Sequence, residues 1–304
     1  MLRKGLETIA GRLRLHGCGD YRVGQWVIDA LLWPSDIEKV RGIYTQVFGL
    51  PPQIHAPHTF NEKLQYLKLF DRNPRYTRFA DKLAVREFVR ERIGAEVLTQ
   101  IFWSGLDLAD ARRQSLPNRF VLKANHSCGA NLIVNDLALV DWKETQALVR
   151  GWLAEDWSAH TAEWHYRWIP RRLFIEEYLE GPDGGVPMDY KFFCFHGLVH
   201  MVQVDVARFS NHTRALFDRD FNPLPVRFTY PRYEGDLSRP ACYELMREIA
   251  ERLAIGEKFL RVDLYDLGRP VFGELTLRPE AGFGQFEPPE WDERLGQLLK
   301  CRLS

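Results

Sequence analysis

Short apolar and alternating runs crowd the middle of this chain, while its flanks carry the wider spacing of amphipathic helices. The runs predict strands at Phe120-Val121-Leu122, Leu132-Ile133-Val134 and Arg172-Leu173-Phe174-Ile175. Residues 191–195 and 198–204 predict a hairpin around His196-Gly197, and 259–265 with 271–277 a second around Leu267-Gly268. Residues 1–58 read as helical and end in a Pro/His-rich loop, Pro51-Pro52-Gln53-Ile54-His55-Ala56-Pro57-His58. Asn61 is expected to cap a helix whose stripe is Leu64, Leu67 and Phe70. A second helix starts near Asp81, turns Leu83, Phe88 and Val89 inward and stops at Gly94. A third covers about 241–253. Helices mixed with hairpin-linked strands predict an α+β fold with antiparallel sheets.

Composition narrows the classes. The chain has 304 residues, 45% of them hydrophobic, which permits a substantial core. Its 41 basic residues balance 41 acidic ones, so no nucleic-acid partner and no anionic membrane surface is predicted. The 9 Trp imply dense packing; Trp157, Trp164, His165 and Trp168 read alternatively as sugar-stacking walls. Five cysteines, an odd count without a CxxC pair, argue against a disulfide framework or a zinc site and predict a reducing, cytoplasmic setting. No window approaches the roughly 18 apolar residues of a membrane span. Val23 to Trp33 is apolar but contains Asp29, so it predicts a packed helix and no transmembrane segment.

Several polar groups then stand out against the apolar strands. Lys123 ends one of them and precedes Ala124-Asn125-His126-Ser127-Cys128-Gly129-Ala130-Asn131, a loop of small residues through which backbone N–H groups can approach phosphate oxygens. The order is neither a Walker loop nor a GxGxxG fingerprint, and such a lysine also reads as a solvated strand end. Lys82, after Asp81, reads as a helix-surface charge or as a second phosphate ligand. Glu176 and Glu177 precede Tyr178-Leu179 where a strand turns into a loop, a setting that can offer backbone groups to a base edge. Asp189 and Lys191, two residues apart, share one strand face.

Asp263 and Glu274 carry the most specific geometry. A turn centred between Leu267 and Gly268 places Asp263 opposite Phe272, with Glu274 a diagonal neighbour at roughly 7–8 Å. Two carboxylates on one face of an apolar hairpin are costly unless a cation neutralises them. Mg²⁺ is one candidate and Arg261 or Arg278 the other. The cluster Arg208-Phe209-Ser210-Asn211-His212-Thr213-Arg214 suits recognition of a carboxylate or a phosphoryl group, or is a surface loop. His212 reads as a general base or as a structural imidazole.

In sequence order these stretches resemble the ATP-grasp superfamily, most closely its TupA-like branch, associated with teichuronopeptide and other surface-polysaccharide biosynthesis. The resemblance rests on Phe60-Asn61-Glu62-Lys63-Leu64-Gln65, Ala80-Asp81-Lys82, Phe120-Val121-Leu122-Lys123, Glu176-Glu177-Tyr178-Leu179, Asp189-Tyr190-Lys191-Phe192-Phe193-Cys194-Phe195, Arg208-Phe209, Asn211-His212-Thr213-Arg214, Arg261-Val262-Asp263-Leu264-Tyr265 and Phe272-Gly273-Glu274-Leu275-Thr276. It implies two α+β lobes enclosing ATP, with an N-terminal helical region over 1–80, a small lobe over 81–172 and a C-terminal lobe over 173–304.

The resemblance also implies roles. Lys82 and Lys123 would hold the phosphates, covered by the loop of His126, Ser127 and Gly129; Glu176, Glu177, Tyr178 and Leu179 would contact adenine, and Asp189 the ribose. Lys191, Arg208 and Arg214 would face the reacting phosphoryl and acid groups. Asp263, Glu274 and Thr276 would bind Mg²⁺, with Thr276 standing where many relatives have Asn. The implied enzyme is an ATP- and Mg²⁺-dependent ligase that joins a small-molecule carboxylate, a sugar acid or amino acid, to an amine through an acylphosphate. A kinase of a sugar hydroxyl, a glycosyltransferase and a non-catalytic nucleotide-binding component are the alternatives.

Overall fold

The computed structural model describes residues 21–181, 184–207 and 211–301, without the side chains of 21–24 and 26. In chain order its elements are helices α1 (Tyr21–Phe48), α2 (Phe60–Phe70), α3 (Arg75–Ala80) and α4 (Val85–Arg92), strand β1 (Ile101–Gly105), helix α5 (Leu108–Ala111), strands β2 (Phe120–Ala124) and β3 (Asn131–Val134), helices α6 (Trp142–Ala154) and α7 (Ser158–Thr161), and strands β4 (Leu173–Glu177), β5 (Asp189–Phe195), β6 (Leu198–Val206), β7 (Thr213–Asp218) and β8 (Arg227–Phe228). Helix α8 (Tyr243–Ala254), strands β9 (Phe259–Asp266), β10 (Pro270–Thr276) and β11 (Phe286–Glu287), and helix α9 (Glu290–Leu298) follow. Helices mixed with antiparallel sheets are the α+β class that the pattern predicts. The helix expected over the first 20 residues lies outside the described residues.

By internal contacts the chain forms two compact units. The first gathers the residues up to Ile37 with Pro74–Val85 and Thr99–Leu179; the second gathers Glu38–Asn73, Arg86–Leu98 and the residues from Glu180 onward.

The first unit is built on an antiparallel sheet in the order β1-β4-β2-β3. Phe120, Leu122 and Ala124 of β2, with Leu173 and Ile175 of β4, pack against Val149 of α6. Within α1, Asp29 accepts from the Arg167 guanidinium at 2.6 Å and from the Trp168 indole at 3.0 Å, which explains a carboxylate in an apolar helix. Asp36 pairs with the same Arg167 at 3.2 Å. No described helix is long and apolar enough to cross a membrane.

The second unit is built on a sheet in the order β10-β9-β5-β6-β7. Side chains alternate between its faces, and the two faces differ. On one, Phe192 packs on Tyr243 of α8 with ring centroids 5.8 Å apart. On the other, Phe193, Phe195, Met201, Leu216 and Phe259 cluster with Phe60, Leu64 and Leu67 of α2. Helix α2 starts two residues earlier than expected, because Thr59 and not Asn61 is its cap: the Thr59 hydroxyl accepts from the Glu62 N–H, and the Glu62 carboxylate accepts from the Thr59 N–H. Asn61 instead lies buried in the first turn and donates to the Gly284 carbonyl at 2.8 Å.

Candidate active site

In the first unit the small-residue loop follows β2. Asn125 ties its base down, donating from Nδ2 to Asp81 Oδ1 at 2.8 Å and to the Pro170 carbonyl at 3.0 Å, while its Oδ1 accepts from the Arg172 N–H at 2.8 Å. Burial pushes the Asp81 carboxyl above the usual range, and the hydrogen bond from Asn125 opposes that rise. Lys82 lies in a turn between α3 and α4, not on a helix surface. Its N–H donates to the Asn125 carbonyl at 3.1 Å, and its ammonium donates to the Ser127 carbonyl at 2.7 Å. Lys82 and the loop are thereby brought together.

His126 and Ser127 are buried, and His126 Nε2 lies 3.0 Å from the Trp152 carbonyl oxygen. Cys128 and Gly129 are exposed; Gly129 takes φ +77, and a Cβ there would meet nothing within 4 Å. Lys123 and Glu176 form an ion pair across β2 and β4, where the register sets Glu176 opposite Val121, two residues from Lys123. Glu176 also accepts from the Thr99 hydroxyl at 2.9 Å. Glu177 accepts from the Gln100 N–H at 3.2 Å, and the Arg119 guanidinium sits 4.2 Å from the Tyr178 ring centre. Leu179 follows, half-buried. Trp164, His165 and Trp168 are buried among side chains, so their rings serve packing.

In the second unit the strands bring charged residues into a row. Glu274 lies opposite Asp263, Asp263 opposite Lys191, and Lys191 opposite Gln203. The adjoining row holds Asp189 opposite Asp205, and Asp205 opposite Arg214. Both rows share the face whose other end is packed against α2. Asp263 therefore faces Glu274, not Phe272 as the turn arithmetic expects. The hairpin is offset by one residue from that arithmetic, and a bulge between Phe272 and Glu274 adds another. Gly273 sits at the bulge, where a Cβ would come within 3.1 Å of the Asp263 carbonyl oxygen. The two offsets cancel in parity and return both carboxylates to one face.

Lys191, buried, pairs with Asp189 and donates to Asp263 at 2.9 Å, with Asp205 at 4.0 Å. Arg261 donates to both oxygens of Asp263 at 2.7 Å, to the Thr276 hydroxyl at 2.9 Å, and lies 3.4 Å from Glu274. Burial opposes the Arg261 charge, but the Asp263 carboxylate outweighs it and raises the guanidinium pKa. Arg214 lies within β7 and not in a surface loop; it donates to Asp205 at 2.7 Å and to Glu280 at 3.0 Å. Burial pushes Asp205 up, yet the charges of Arg214 and Lys191 win and hold its pKa at about 2. His212 Nε2 is 3.3 Å from Asp205, and its ring lies 3.9 Å from that of Tyr230. Arg208 lies outside the described residues.

A strained turn borders this cluster. Glu280 (φ 48) and Ala281 (φ 52) adopt left-handed backbone that side-chain-bearing residues avoid, and Gly282 (φ 72) follows. Helix α2 holds the turn: Gln65 donates to the Gly282 carbonyl at 2.5 Å, and the fully buried Lys68 donates to the Ala281 carbonyl at 2.6 Å. Arg261 is the cation that the sequence offered as the alternative partner of Asp263 and Glu274, whereas Asp205, Gln203 and Glu280 are residues of this cluster that sequence reasoning missed. Gln203 and Asp205 had a signal, two polar residues at alternate positions of the apolar run from Met201 to Val206.

The carboxylates suit a divalent cation. Asp263 and Glu274 face each other with the Thr276 hydroxyl beside them, and all three already gather around one cationic group, Arg261. Among the described residues no group of three or more His, Cys, Asp or Glu could hold a metal ion. Two carboxylates suffice for Mg²⁺ when phosphates and waters fill its other positions.

Comparison with known proteins places these features in a family. No curated protein matches the chain. Similar solved structures include the ATP-grasp ligase PsnB complexed with minimal precursor (12% identity, 67% of this chain and 54% of that one, TM-score 0.40). Others are an L-amino acid ligase from Bacillus licheniformis (16%, 77% and 47%, TM-score 0.39) and a D-alanine–D-alanine ligase from Bacillus anthracis complexed with ATP (14%, 73% and 63%, TM-score 0.40). The chain thus spans 47% to 63% of the length of these three proteins. A match to the TupA-like ATP-grasp family runs over residues 62–300, most of the chain, and the protein belongs to that family.

Proposed function

We propose that the protein is an ATP- and Mg²⁺-dependent carboxylate–amine ligase working through an acylphosphate, in surface-polysaccharide or peptide-like polymer biosynthesis. The observation that carries this reading is the row Glu274–Asp263–Lys191 with Arg261, in which the buried Asp263, Lys191 and Arg261 and the half-buried Glu274 share one face at the end of a sheet. Such a row is costly to build and supplies fixed charges for a phosphoryl transfer.

In this reading Lys82 and Lys123 bind ATP phosphates beside the loop of His126, Ser127 and Gly129. Glu176, Glu177, Tyr178 and Leu179 take the adenine edge, and Asp189 the ribose. Asp263, Glu274 and Thr276 hold Mg²⁺, which when bound offsets phosphate charge. Lys191 and Arg214, with Arg208, orient the acid and the γ-phosphate. An oxygen of the substrate carboxylate bonds to the γ-phosphorus as its bond to ADP breaks. The amine nitrogen then bonds to the acyl carbon, the C–O bond to phosphate breaks, and the nitrogen loses a proton. No protein nucleophile is required, and positioning with charge neutralisation supplies the rate. We assign the enzyme to the cytoplasm, in keeping with the free thiols of Cys194, Cys242 and Cys301.

The test is ADP release with ATP and Mg²⁺ across a panel of uronic and amino acids, each with and without amines. Release that needs both, with an amide adduct by mass spectrometry, establishes the ligase. A stable phosphoester formed without amine makes it a kinase and overturns the reading. Glu274→Gln is expected to lower turnover by at least about a hundredfold, the scale of one lost transition-state charge contact, while circular dichroism is unchanged.

A further inference from the structure

Amide formation from an acylphosphate leaves a surplus proton on the amine nitrogen, and a positioned group that takes it speeds such a step by about 10²–10⁴-fold. The acceptor works best when it titrates near the operating pH, which is the ordinary range of an imidazole. Carboxylates on the charged face of the second unit are poor acceptors, because cations hold them. Asp263 is held by Arg261 and Lys191, Asp189 by Lys191, and Glu280 by Arg214. Arg214 and Lys191 keep Asp205 ionised down to about pH 2. Among the described residues of these strand rows, His212 is the one imidazole that reaches them.

His212 stands immediately ahead of β7 and two residues before Arg214, so strand alternation puts both side chains on one face. The contacts agree: Asp205 lies opposite Arg214, and the imidazole Nε2 comes within 3.3 Å of Asp205 Oδ1. The ring rests on Tyr230, with centroids 3.9 Å apart and planes tilted by 36°. Tyr230 also covers the Arg214 guanidinium, 4.7 Å from its ring centre. It is delivered there by a strained residue, since Thr229 takes φ 63, a left-handed conformation that β-branched side chains avoid. Strain of this kind gathers at functional sites. The His212 side chain keeps 16% of its exposure, open enough for a ligand to reach.

A carboxylate that stays ionised draws the ring proton to Nε2 and leaves the basic lone pair on Nδ1. It also stabilises the imidazolium that forms when Nδ1 takes a proton. Base and orienting carboxylate are paired in this way for acyl transfer on unrelated folds.

We propose, resting on the ligase reading, that His212 is the catalytic base of the amide-forming step, oriented by Asp205 and Tyr230. The amine lone pair bonds to the acyl carbon, the C–O bond to phosphate breaks, and Nδ1 takes the proton that the nitrogen loses. The imidazolium then gives that proton to water. Phosphorylation of the substrate carboxylate moves no proton and does not need His212.

Hydroxylamine separates the two steps, because it is uncharged at neutral pH and attacks acylphosphates without a base. The full chain is given ATP, Mg²⁺ and the panel of uronic and amino acids, with hydroxylamine or with alkyl amines. Hydroxamate is read as its ferric complex, and amide by mass spectrometry. In His212→Gln, whose side-chain amide can still donate to Asp205, hydroxamate is expected to stay within about twofold of wild type while amide formation falls at least about a hundredfold. His212→Asn is read in the same way should the Gln variant lose the wild-type circular dichroism. Unchanged amide formation overturns the assignment, and so does an equal fall in both products, which marks a structural imidazole. Either result leaves the ligase reading standing. A wild type that forms neither hydroxamate nor amide with any acid overturns that reading and the assignment with it.

Discussion

Lys123 and Lys191 carry the same charge on two sheets of one molecule, in opposite settings. The Lys123 side chain keeps 26% of its exposure and meets a single carboxylate, Glu176. Lys191 keeps 5% and is enclosed by Asp189, Asp205 and Asp263, of which Asp205 is in turn held by Arg214 and Asp263 by Arg261. Water screens the first pair and lets the lysine change partners at little cost. The second is a network in which each charge needs the others, because an unpaired ion there has no water to fall back on. In the proposed reaction the first setting suits a lysine that must grip and release phosphates, and the second a preorganised field.

The comparison breaks most visibly at Asp263. Asp263→Ala leaves Arg261 and Lys191 buried without their shared partner, and about 3–5 kcal/mol of stability is expected to go, read as a lower urea midpoint. A loss below about 1 kcal/mol would show the network to be wet and the contrast with Lys123 void.

Acid sharpens the same contrast. Asp205 has its pKa depressed from an ordinary 3.8 to about 2, so the folded state binds a proton less readily than the unfolded one. Its contribution is complete above about pH 4 and is lost as pH falls from there to about 2, a loss on the order of 2 kcal/mol. In Asp205→Asn this part of the acid limb is expected to vanish from urea midpoints measured across that range. An unchanged limb would place the acid sensitivity elsewhere.

The smallest effect on stability belongs to Lys123. Lys123→Ala is expected to cost less than about 1 kcal/mol of unfolding free energy while ADP release falls at least tenfold. Equal losses in both would make the lysine a structural residue.

Much of this was legible in the residues themselves. Period-two runs marked β2, β5, β6, β9 and β10, since each is long enough to show its alternation or to be apolar throughout. The Gly-containing turns marked two hairpins; Lys123 stood out as a charge ending an apolar strand, and Lys191, Asp263 and Glu274 as charges on the faces of apolar strands. β1 escaped notice because its five residues, Ile101-Phe102-Trp103-Ser104-Gly105, are short and end in small polar positions. β7 escaped because its first residues, Thr213-Arg214, continue a polar run.

Local order along the chain thus determined which segments are strands or helices, and which charges sit where apolar strands cannot easily tolerate them. Tertiary structure decided the rest. It chose Arg261 as the cation between Asp263 and Glu274, and it added Asp205 to the site. It also used Lys68 and Gln65 of α2 to hold a left-handed turn more than two hundred residues away. The register of β9 and β10 depended on a bulge at Gly273, and parity arithmetic cannot foresee a bulge. The physical reason is common to all of these. A side chain's period is set by its own backbone, whereas its partner is set by which distant strand or helix buries it, and that competition is settled only when the core closes.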